Sequence, residues 1–152
     1  MAKATQQTVR INGARTIIRT SATGKITTKP APPKEWELQA AQVRAFRAMP
    51  AYGKRFLLAG DQNAAKRGPR AQQEAIAAGM TPGEADLRIY LAGGQIRMIE
   101  NKVGKGRLST AQRDRHAALA RLGHDVTVVS ATTPADAASQ AVELVQGWLA
   151  VA

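Results

Sequence analysis

Residues 83–108 have the sequence GEADLRIYLAGGQIRMIENKVGKGRL. This stretch predicts two adjacent strands joined by a glycine turn, around which the rest of the chain is arranged. Asp86 opens the first strand, although aspartate is normally depleted in strands. Glu100 and Lys102 stand two residues apart in the second strand, and the period of a strand places them on the same face. This pattern indicates either a divalent-metal site that cleaves phosphodiester bonds or an ordinary solvated hairpin.

The length of the turn separates these two interpretations. A three-residue loop, Ala92-Gly93-Gly94, would pair Asp86 with Glu100 across the hairpin. Two carboxylates that are cross-strand neighbours repel unless a cation lies between them. A two-residue loop would instead place Asp86 opposite Asn101, on the wrong face of the second strand. The metal-site hypothesis therefore requires the three-residue loop.

Composition limits the class of protein. The chain has 152 residues, no cysteine and only 4% aromatic residues, so disulfides and thiolate metal sites are excluded and the core must come from aliphatic side chains. No apolar run reaches membrane-spanning length, and the N-terminus has no hydrophobic signal segment. We expect a cytoplasmic protein that is associated with nucleic acid and not with a membrane.

The charge is strongly positive and unevenly distributed. Lysines and arginines number 22 against 11 acidic residues, a net charge of +11, which favours a polyanionic partner such as nucleic acid. Residues 1–34 contain no acid and seven basic side chains: Lys3, Arg10, Arg15, Arg19, Lys25, Lys29 and Lys34. We therefore predict a basic N-terminal arm and proline-rich linker over residues 1–34, followed by a globular domain over residues 35–152.

The arm itself has two possible conformations. The dipeptide Asn12-Gly13 is a turn signal between short apolar runs, which leaves a small hairpin open. A disordered arm is favoured, because an isolated hairpin is marginally stable in water.

The remaining elements predict an α/β fold. Helices are expected over residues 34–49 and 70–78, from Ser109 to about residue 122, and after the cap at Thr133. Strands are expected over residues 55–59 and 124–129, in addition to the central hairpin. This order predicts a small mixed β-sheet flanked by helices.

Polar residues of the first helix fall into two groups. Glu35 and Gln39 lie in a polar stripe with an apolar border, whereas Glu37 lies on the opposite side. The stripe either points to a polar site within the fold or forms a solvated helix edge. Neither His116 nor His124 has a carboxylate or another histidine at ligand spacing in the sequence, so both are predicted to be structural.

The remaining candidate site residues lie in two basic loops and at the start of one helix. Lys66, Arg67 and Arg70 lie in or beside the loop over residues 61–69, and Lys105 and Arg107 lie in the glycine-rich loop 104–107. The latter loop either approaches a phosphate backbone or is a plain turn. Ser109 and Gln112 form a capping box, and Gln112 lies at the edge of the inner face of its helix.

Together these motifs resemble the VRR-NUC (virus-type replication-repair nuclease) family of the PD-(D/E)xK nuclease superfamily over residues 35–146. The residues that carry the resemblance follow in the order Glu35-x-x-x-Gln39, Asn63, Pro82-Gly-Glu-Ala-Asp86-Leu, Glu100-Asn-Lys102, Gly104-Lys-Gly-Arg107 and Ser109-x-x-Gln112. The family usually has an apolar residue where this chain has Asn101. The resemblance implies a restriction-endonuclease-like core.

The resemblance also implies roles for individual residues. Asp86, Glu100 and the backbone carbonyl of Asn101 would bind Mg²⁺ or Mn²⁺, and Glu35 would act through water or a second ion. Lys102 would orient or deprotonate the attacking water or neutralise developing charge, and Gln112 would position the water or the phosphate. Further DNA contacts are expected from the side chains Gln39, Asn63, Lys66, Arg67, Arg70, Lys105 and Arg107.

The expected function is that of a metal-dependent DNA endonuclease without an organic cofactor. By resemblance, it would act as a homodimer on Holliday junctions or other branched DNA during replication, recombination or repair, and a small stand-alone nuclease suits a phage or prophage. The alternative is a non-catalytic nucleic-acid-binding protein on a nuclease-like fold. A structural or phage-assembly role gives no reason for the carboxylates.

Overall fold

A computed structural model describes residues 2–61 and 66–152, and in it the chain divides into two units between Pro33 and Lys34. The first unit is a three-stranded antiparallel sheet in the order β1-β2-β3. Its strands are β1 (Thr5–Ile11), β2 (Ala14–Thr20) and β3 (Ile26–Pro30).

The expectation of a disordered N-terminal arm was wrong. Asn12 and Gly13 both adopt positive φ, 48° and 81°, which is the geometry of a two-residue hairpin turn between β1 and β2. The hairpin left open by the sequence is therefore present, and β3 adds a third strand that the sequence did not predict. A third strand provides the pairing that an isolated hairpin lacks.

The described residues of the second unit form four α-helices and four strands. The helices are α1 (Glu35–Ala48), α2 (Pro69–Ala77), α3 (Thr110–Arg121) and α4 (Pro134–Val151). The strands are β4 (Phe56–Gly60), β5 (Leu87–Leu91), β6 (Ile96–Val103) and β7 (Val126–Ala131). No helix within the described residues is both long and apolar enough to cross a membrane.

The four strands form a mixed sheet in the order β4-β5-β6-β7. β5 is antiparallel to both β4 and β6, whereas β6 and β7 are parallel and are connected through α3. The predicted α/β class with a small mixed sheet is confirmed. The restriction-endonuclease-like core remains a prediction.

The hairpin register is the one that the metal-site hypothesis requires. The loop between β5 and β6 is the three-residue turn Ala92–Gly94, and Leu87 pairs with Ile99. Extending the same register by one pair places Asp86 opposite Glu100. Of the two loop lengths that the sequence left open, the three-residue loop is the one present.

Side chains alternate between the two faces of this sheet. Leu87 and Ile99 point to one face, where they pack with buried residues of α1 and α4. Met98 points to the other face and packs with Ala85 and with Leu119 of α3. The even-numbered residues of β6 therefore face α3, and the odd-numbered ones face α1 and α4.

A buried amide pair joins α1 to β6. The Asn101 and Gln42 side chains are both fully buried and donate to each other, at 2.8 and 2.9 Å. Gln42 also donates to the carbonyl of Ala137 at the start of α4, at 3.3 Å. The polar residue at position 101 is therefore satisfied within the fold, on the face opposite to Glu100 and Lys102.

Replacing both members of this pair should destabilise the protein by less than the sum of the two single replacements. Either Asn101→Leu or Gln42→Leu leaves a buried amide without its partner, which costs about 1–3 kcal/mol of the free energy of unfolding. The double variant removes both amides, so its destabilisation should be smaller than the sum by about 1–3 kcal/mol. Urea denaturation of the four proteins measures this coupling, and additive losses would show that the pair is not an energetic unit.

Candidate functional site

Two carboxylates meet at the end of the sheet where β5 begins. Glu100 of β6 is fully buried, and Asp86 immediately precedes β5. Oδ2 of Asp86 accepts a 2.7 Å hydrogen bond from the backbone N–H of Asn101. The carbonyl of Asp86 accepts from the N–H of Asp61 at 2.8 Å and from Nε2 of Gln39 at 3.1 Å. Asp86 is therefore fixed through both its side chain and its backbone.

The environment of both carboxylates opposes their ionisation. Burial, followed by the charge of Asp86, raises the pKa of Glu100 from 4.5 to about 7. Burial also raises the pKa of Asp86, against the opposing effect of the hydrogen bond from Asn101. Two neighbouring carboxylates that resist ionisation form a site that a cation would stabilise.

Lys102 provides a positive charge beside these carboxylates. Its side chain is only 8% exposed, and Nζ lies 3.2 Å from Oε1 of Glu35 and 3.6 Å from Oε1 of Glu100. Glu35 stands at the start of α1, so the helix and the strand are joined at the site by this ion pair. The Glu35 side chain is 46% exposed while it pairs with Lys102, so this part of the polar stripe faces both the site and solvent.

The helix α3 packs on the face of the sheet that carries Glu100, and it contributes Gln112 and His116 to the site. Nε2 of Gln112 donates to Oε1 of Glu100 at 2.5 Å, while its own Oε1 accepts from the N–H of Ser109 at 2.9 Å. Oγ of Ser109 accepts in turn from the N–H of Gln112 at 3.1 Å, which completes the predicted capping box. The cap that begins α3 thus also fixes the amide that contacts Glu100.

His116 was missed by the sequence analysis, which predicted only a structural role. Its Nε2 lies 3.9 Å from Oε2 of Glu100, and its side chain is 13% exposed. Among the described residues, neither of these two buried atoms has a hydrogen-bond partner. Burial lowers the pKa of His116. Since His116 follows Gln112 by four residues, the signal available in the sequence was their shared helix face.

The first turn of α3 lies directly against the segment before β5. A Cβ atom at Gly83 would lie 2.2 Å from the carbonyl oxygen of Ala111, and Gly83 has a φ of 81°. Next to it, Arg115 donates to Oε2 of Glu84 through two nitrogens, at 2.9 and 2.6 Å. These contacts fix the position of α3, and therefore of Gln112, relative to the two carboxylates.

The donors at this site fit a hard divalent cation. Asp86 and Glu100 supply carboxylate oxygens, and Oε2 of Glu100 has no hydrogen-bond partner among the described residues. The N–H and C=O of one strand residue point to the same side. The carbonyl of Asn101 therefore faces the side of β6 on which its N–H meets Asp86.

Within residues 2–61 and 66–152, no group of three or more His, Cys, Asp or Glu side chains is arranged to hold a metal ion. Two carboxylates and a carbonyl, completed by water and substrate phosphate, suit Mg²⁺ or Mn²⁺ better than Zn²⁺.

The residues predicted to contact DNA are not all at this site. Gln39 contacts the backbone of Asp86 and so supports the site from within. Lys105 and Arg107 are exposed in the loop that follows β6. The side chains of the other described candidates, Lys66, Arg67 and Arg70, are also exposed, and Arg70 pairs with Glu74 at 3.0 Å. Asn63 lies outside the described residues.

Glu100 should contribute more stability to the metal-free protein at pH 5 than at pH 8, while the lowered pKa of His116 acts in the opposite direction. Below pH 4.5 the carboxyl is protonated in both folded and unfolded chains. As the pH rises from 4.5 to about 7, the unfolded chain releases this proton first, so stability falls. The difference corresponds to on the order of 3 kcal/mol, at about 1.4 kcal/mol per pH unit.

The variant Glu100→Gln should lose most of this pH dependence and be more stable than wild type at pH 8. Chemical denaturation in EDTA at several pH values measures the effect. Glu143→Gln, which removes an exposed carboxylate on α4, is the matched control. An unchanged pH dependence in Glu100→Gln would contradict the assignment.

Two glutamates at the start of α1 should differ in their effect on activity. Glu37 lies on the side of α1 opposite to the polar stripe, and its Oε2 accepts from the N–H of Lys34 at 2.6 Å and so caps the helix. Glutamine can make the same bond at this position. For the metal-dependent DNA cleavage that the resemblance implies, we expect Glu35→Gln to lower the rate about 10- to 100-fold and Glu37→Gln to leave it unchanged. Initial rates over a Mn²⁺ titration test this, and equal losses in both variants would refute the assignment of Glu35.

Comparisons of this chain with protein-family models, with curated proteins and with solved structures each returned no match.

Proposed function

We propose that this protein is a metal-dependent nuclease that hydrolyses phosphodiester bonds in DNA. The observation that supports the proposal most is the convergence of Asp86, Glu100 and Lys102 in the register of a three-residue hairpin loop. Glu35 and Gln112 reach the same point from two different helices. A solvated hairpin would give no reason for a carboxylate that is fully buried.

The residues have distinct parts in the proposed reaction. Asp86, Glu100 and the carbonyl of Asn101 would hold the ion. A bound Mg²⁺ or Mn²⁺ would lower the pKa of a coordinated water and stabilise charge on the scissile phosphate. Lys102 would orient the attacking water and neutralise charge that develops on the phosphate. Gln112 would hold Glu100 in position, and Glu35 would hold Lys102.

The proposed substrate is branched DNA, such as a four-way junction, in replication, recombination or repair. This preference rests on the resemblance to the VRR-NUC family. A homodimer would supply two such sites for two incisions in a symmetric junction.

Cleavage of end-labelled DNA tests the proposal. Four-way junction, flap, duplex and single-stranded substrates would be incubated with Mg²⁺, with Mn²⁺ and with EDTA, using wild type and Asp86→Asn. We expect metal-dependent cutting by wild type that the variant loses, because an amide is a poor ligand for Mg²⁺ but can still accept the bond from Asn101. Tight binding without cutting on any substrate would refute the nuclease proposal.

A second candidate is a nucleic-acid-binding protein that does not cut. The feature in its favour is that the carboxylates already have partners within the chain: Lys102 lies between Glu35 and Glu100, and Asp86 accepts from Asn101. Calorimetry with Mn²⁺ separates the two candidates. Binding that disappears in Asp86→Asn supports the nuclease, and absence of Mn²⁺ binding supports the non-catalytic protein.

A further inference from the structure

The three-stranded sheet of residues 2–33 has two chemically different faces. Directly opposed residues share a face, and Arg10 pairs with Arg15 while Lys29 pairs with Ile17. Because Arg15, Ile17 and Arg19 alternate along β2, all four cationic side chains of the strands lie together. We call the surface formed by Arg10, Arg15, Arg19 and Lys29 the basic face.

The opposite face of the sheet carries no charge within the three strands. It consists of threonine, glutamine, alanine and proline together with the aliphatic side chains Val9, Ile11, Ile18 and Ile26. All four basic residues of the strands lie on one face and none lies on the other. Solubility depends on net charge and does not require this separation.

The cations of the basic face lie close enough together to repel one another. Arg10 and Arg15 are directly opposite each other, an arrangement that destabilises a sheet. Residues 1–34 contain no aspartate or glutamate, so within the sheet Arg10 and Arg19 have no acidic neighbour. The guanidinium of Arg10 donates to the carbonyl of Gly13 at 2.9 Å, and that of Arg19 donates to the amide of Gln6 at 2.6 Å. These neutral partners orient the side chains without cancelling their charge.

The dimensions of the basic face suit a phosphate backbone. Arg15 and Arg19 are four residues apart, about 13 Å along the strand, and neighbouring strands are about 4.8 Å apart. A patch of this length spans several phosphates, since each strand of duplex DNA has one about every 3.4 Å along the axis. Arg10, Arg19 and Lys29 are exposed, and no residue among 2–33 is buried.

Charge and shape together favour nucleic acid over an anionic membrane. A membrane-binding surface combines basic and apolar side chains so that the apolar ones enter the lipid. Here the apolar side chains lie on the other face, apart from Ile17. Gln6, Thr8 and Thr27 accompany the cations instead and can donate hydrogen bonds to phosphate and sugar oxygens.

We propose that the basic face of the N-terminal sheet is a sequence-independent binding surface for the phosphate backbone of nucleic acid. The inference rests on the proposed function in that the ligand would be the substrate of the nuclease. Binding does not require the metal site, so the surface can be tested without cleavage.

The test is fluorescence anisotropy of the full-length chain with a labelled 30-base-pair duplex in EDTA, between 50 and 200 mM NaCl. The variant Arg10→Gln/Arg19→Gln removes two charges from the basic face. Lys3→Gln/Lys25→Gln removes two charges from the same unit outside the strands. Arg10→Lys/Arg19→Lys retains both charges and separates the loss of charge from the loss of the guanidinium hydrogen bonds.

Each lost phosphate contact should reduce the slope of log K against log [salt] by about 0.9. We expect the basic-face pair, Arg10→Gln/Arg19→Gln, to reduce the slope by about 1.8. The control pair, Lys3→Gln/Lys25→Gln, should change the slope by less than half as much. The charge-retaining pair, Arg10→Lys/Arg19→Lys, should have the slope of wild type. Equal changes in the two neutralised pairs would show that only net charge matters and would overturn the proposal. So would equally strong binding of wild type to vesicles of anionic lipid.

The outcome is distinct from that of the cleavage experiment. If the basic-face pair weakens binding and wild type cuts no substrate, the binding surface stands and the nuclease proposal fails. If wild type cuts and the basic-face pair binds like wild type, the nuclease proposal stands and the surface does not.

Discussion

Replacing Lys102 with methionine should slow metal-dependent cleavage about 10²- to 10⁴-fold while changing the affinity for DNA by less than about twofold. The ammonium group is buried beside Glu35 and Glu100, where it can act on the reacting phosphate but contributes little to the exposed basic surface. Methionine retains an unbranched apolar side chain of similar length and removes the ammonium group with its charge and its hydrogen bond to Glu35. Single-turnover rates and anisotropy in EDTA would be measured on the same preparation.

The control for this variant is Lys105→Met, three residues further along the chain and exposed to solvent. It should weaken DNA binding slightly and leave the rate of the bound complex near that of wild type. A buried charge that loses its partner is costly, so the thermal stability of Lys102→Met must be determined first. A folded Lys102→Met protein in which binding and cleavage fall equally would contradict a catalytic role.

Replacing Gly83 with alanine should be among the most destabilising single substitutions in the protein. The methyl group would overlap the carbonyl of Ala111, 2.2 Å away, and the backbone would have to hold a non-glycine residue at a φ of 81°. Overpacking and backbone strain each cost about 1–3 kcal/mol, so we expect a loss of roughly 2–6 kcal/mol in the free energy of unfolding.

Gly93→Ala is the matched control for Gly83→Ala. Gly93 has a similar φ of 72°, but none of the described residues has an atom within 4 Å of the Cβ position. It should lose only the conformational part, about 1–2 kcal/mol. Guanidinium denaturation compares the two, and equal losses would show that the contact with α3 is unimportant. Since Ala111 adjoins Gln112, Gly83→Ala should also reduce cleavage more than Gly93→Ala does.

Local signals in the sequence were sufficient for the existence of the hairpin and for the cap of α3. The two glycines indicate a turn but left a two-residue and a three-residue loop open, and the three-residue loop that is present places Asp86 opposite Glu100. Ser109 and Gln112 likewise form a cap from residues three apart. In both cases the residues that determine the structure are close together in the chain.

Long-range contacts were not predictable in the same way. Gln42 and Asn101 are 59 residues apart, and nothing near either of them in the sequence identifies the other as its partner. His116 meets Glu100 only because α3 crosses over the sheet between β6 and β7. The cap at Glu37 was missed because its partner is the backbone of a lysine, a residue type that does not indicate a cap.

The third strand of the N-terminal sheet also escaped prediction. Ile26–Pro30 is short, polar and adjacent to a proline-rich run, which is typical of a linker. Its pairing with β2 depends on the hairpin that precedes it, since β1 holds β2 in the extended conformation and leaves the other edge of β2 for β3. A weak strand of this kind is specified by its neighbour more than by its own residues.

The hydrogen bond from the backbone N–H of Asn101 to the carboxylate of Asp86 gives this site a spectroscopic reporter. An amide proton that is bonded to a carboxylate resonates at a frequency set by the electron density on that oxygen. Protonation of the carboxylate or coordination to a cation withdraws that density, so the Asn101 signal in a ¹⁵N-labelled sample moves with either event. A single cross-peak therefore reads the state of Asp86 directly, in a protein that has neither DNA nor a substrate bound to it.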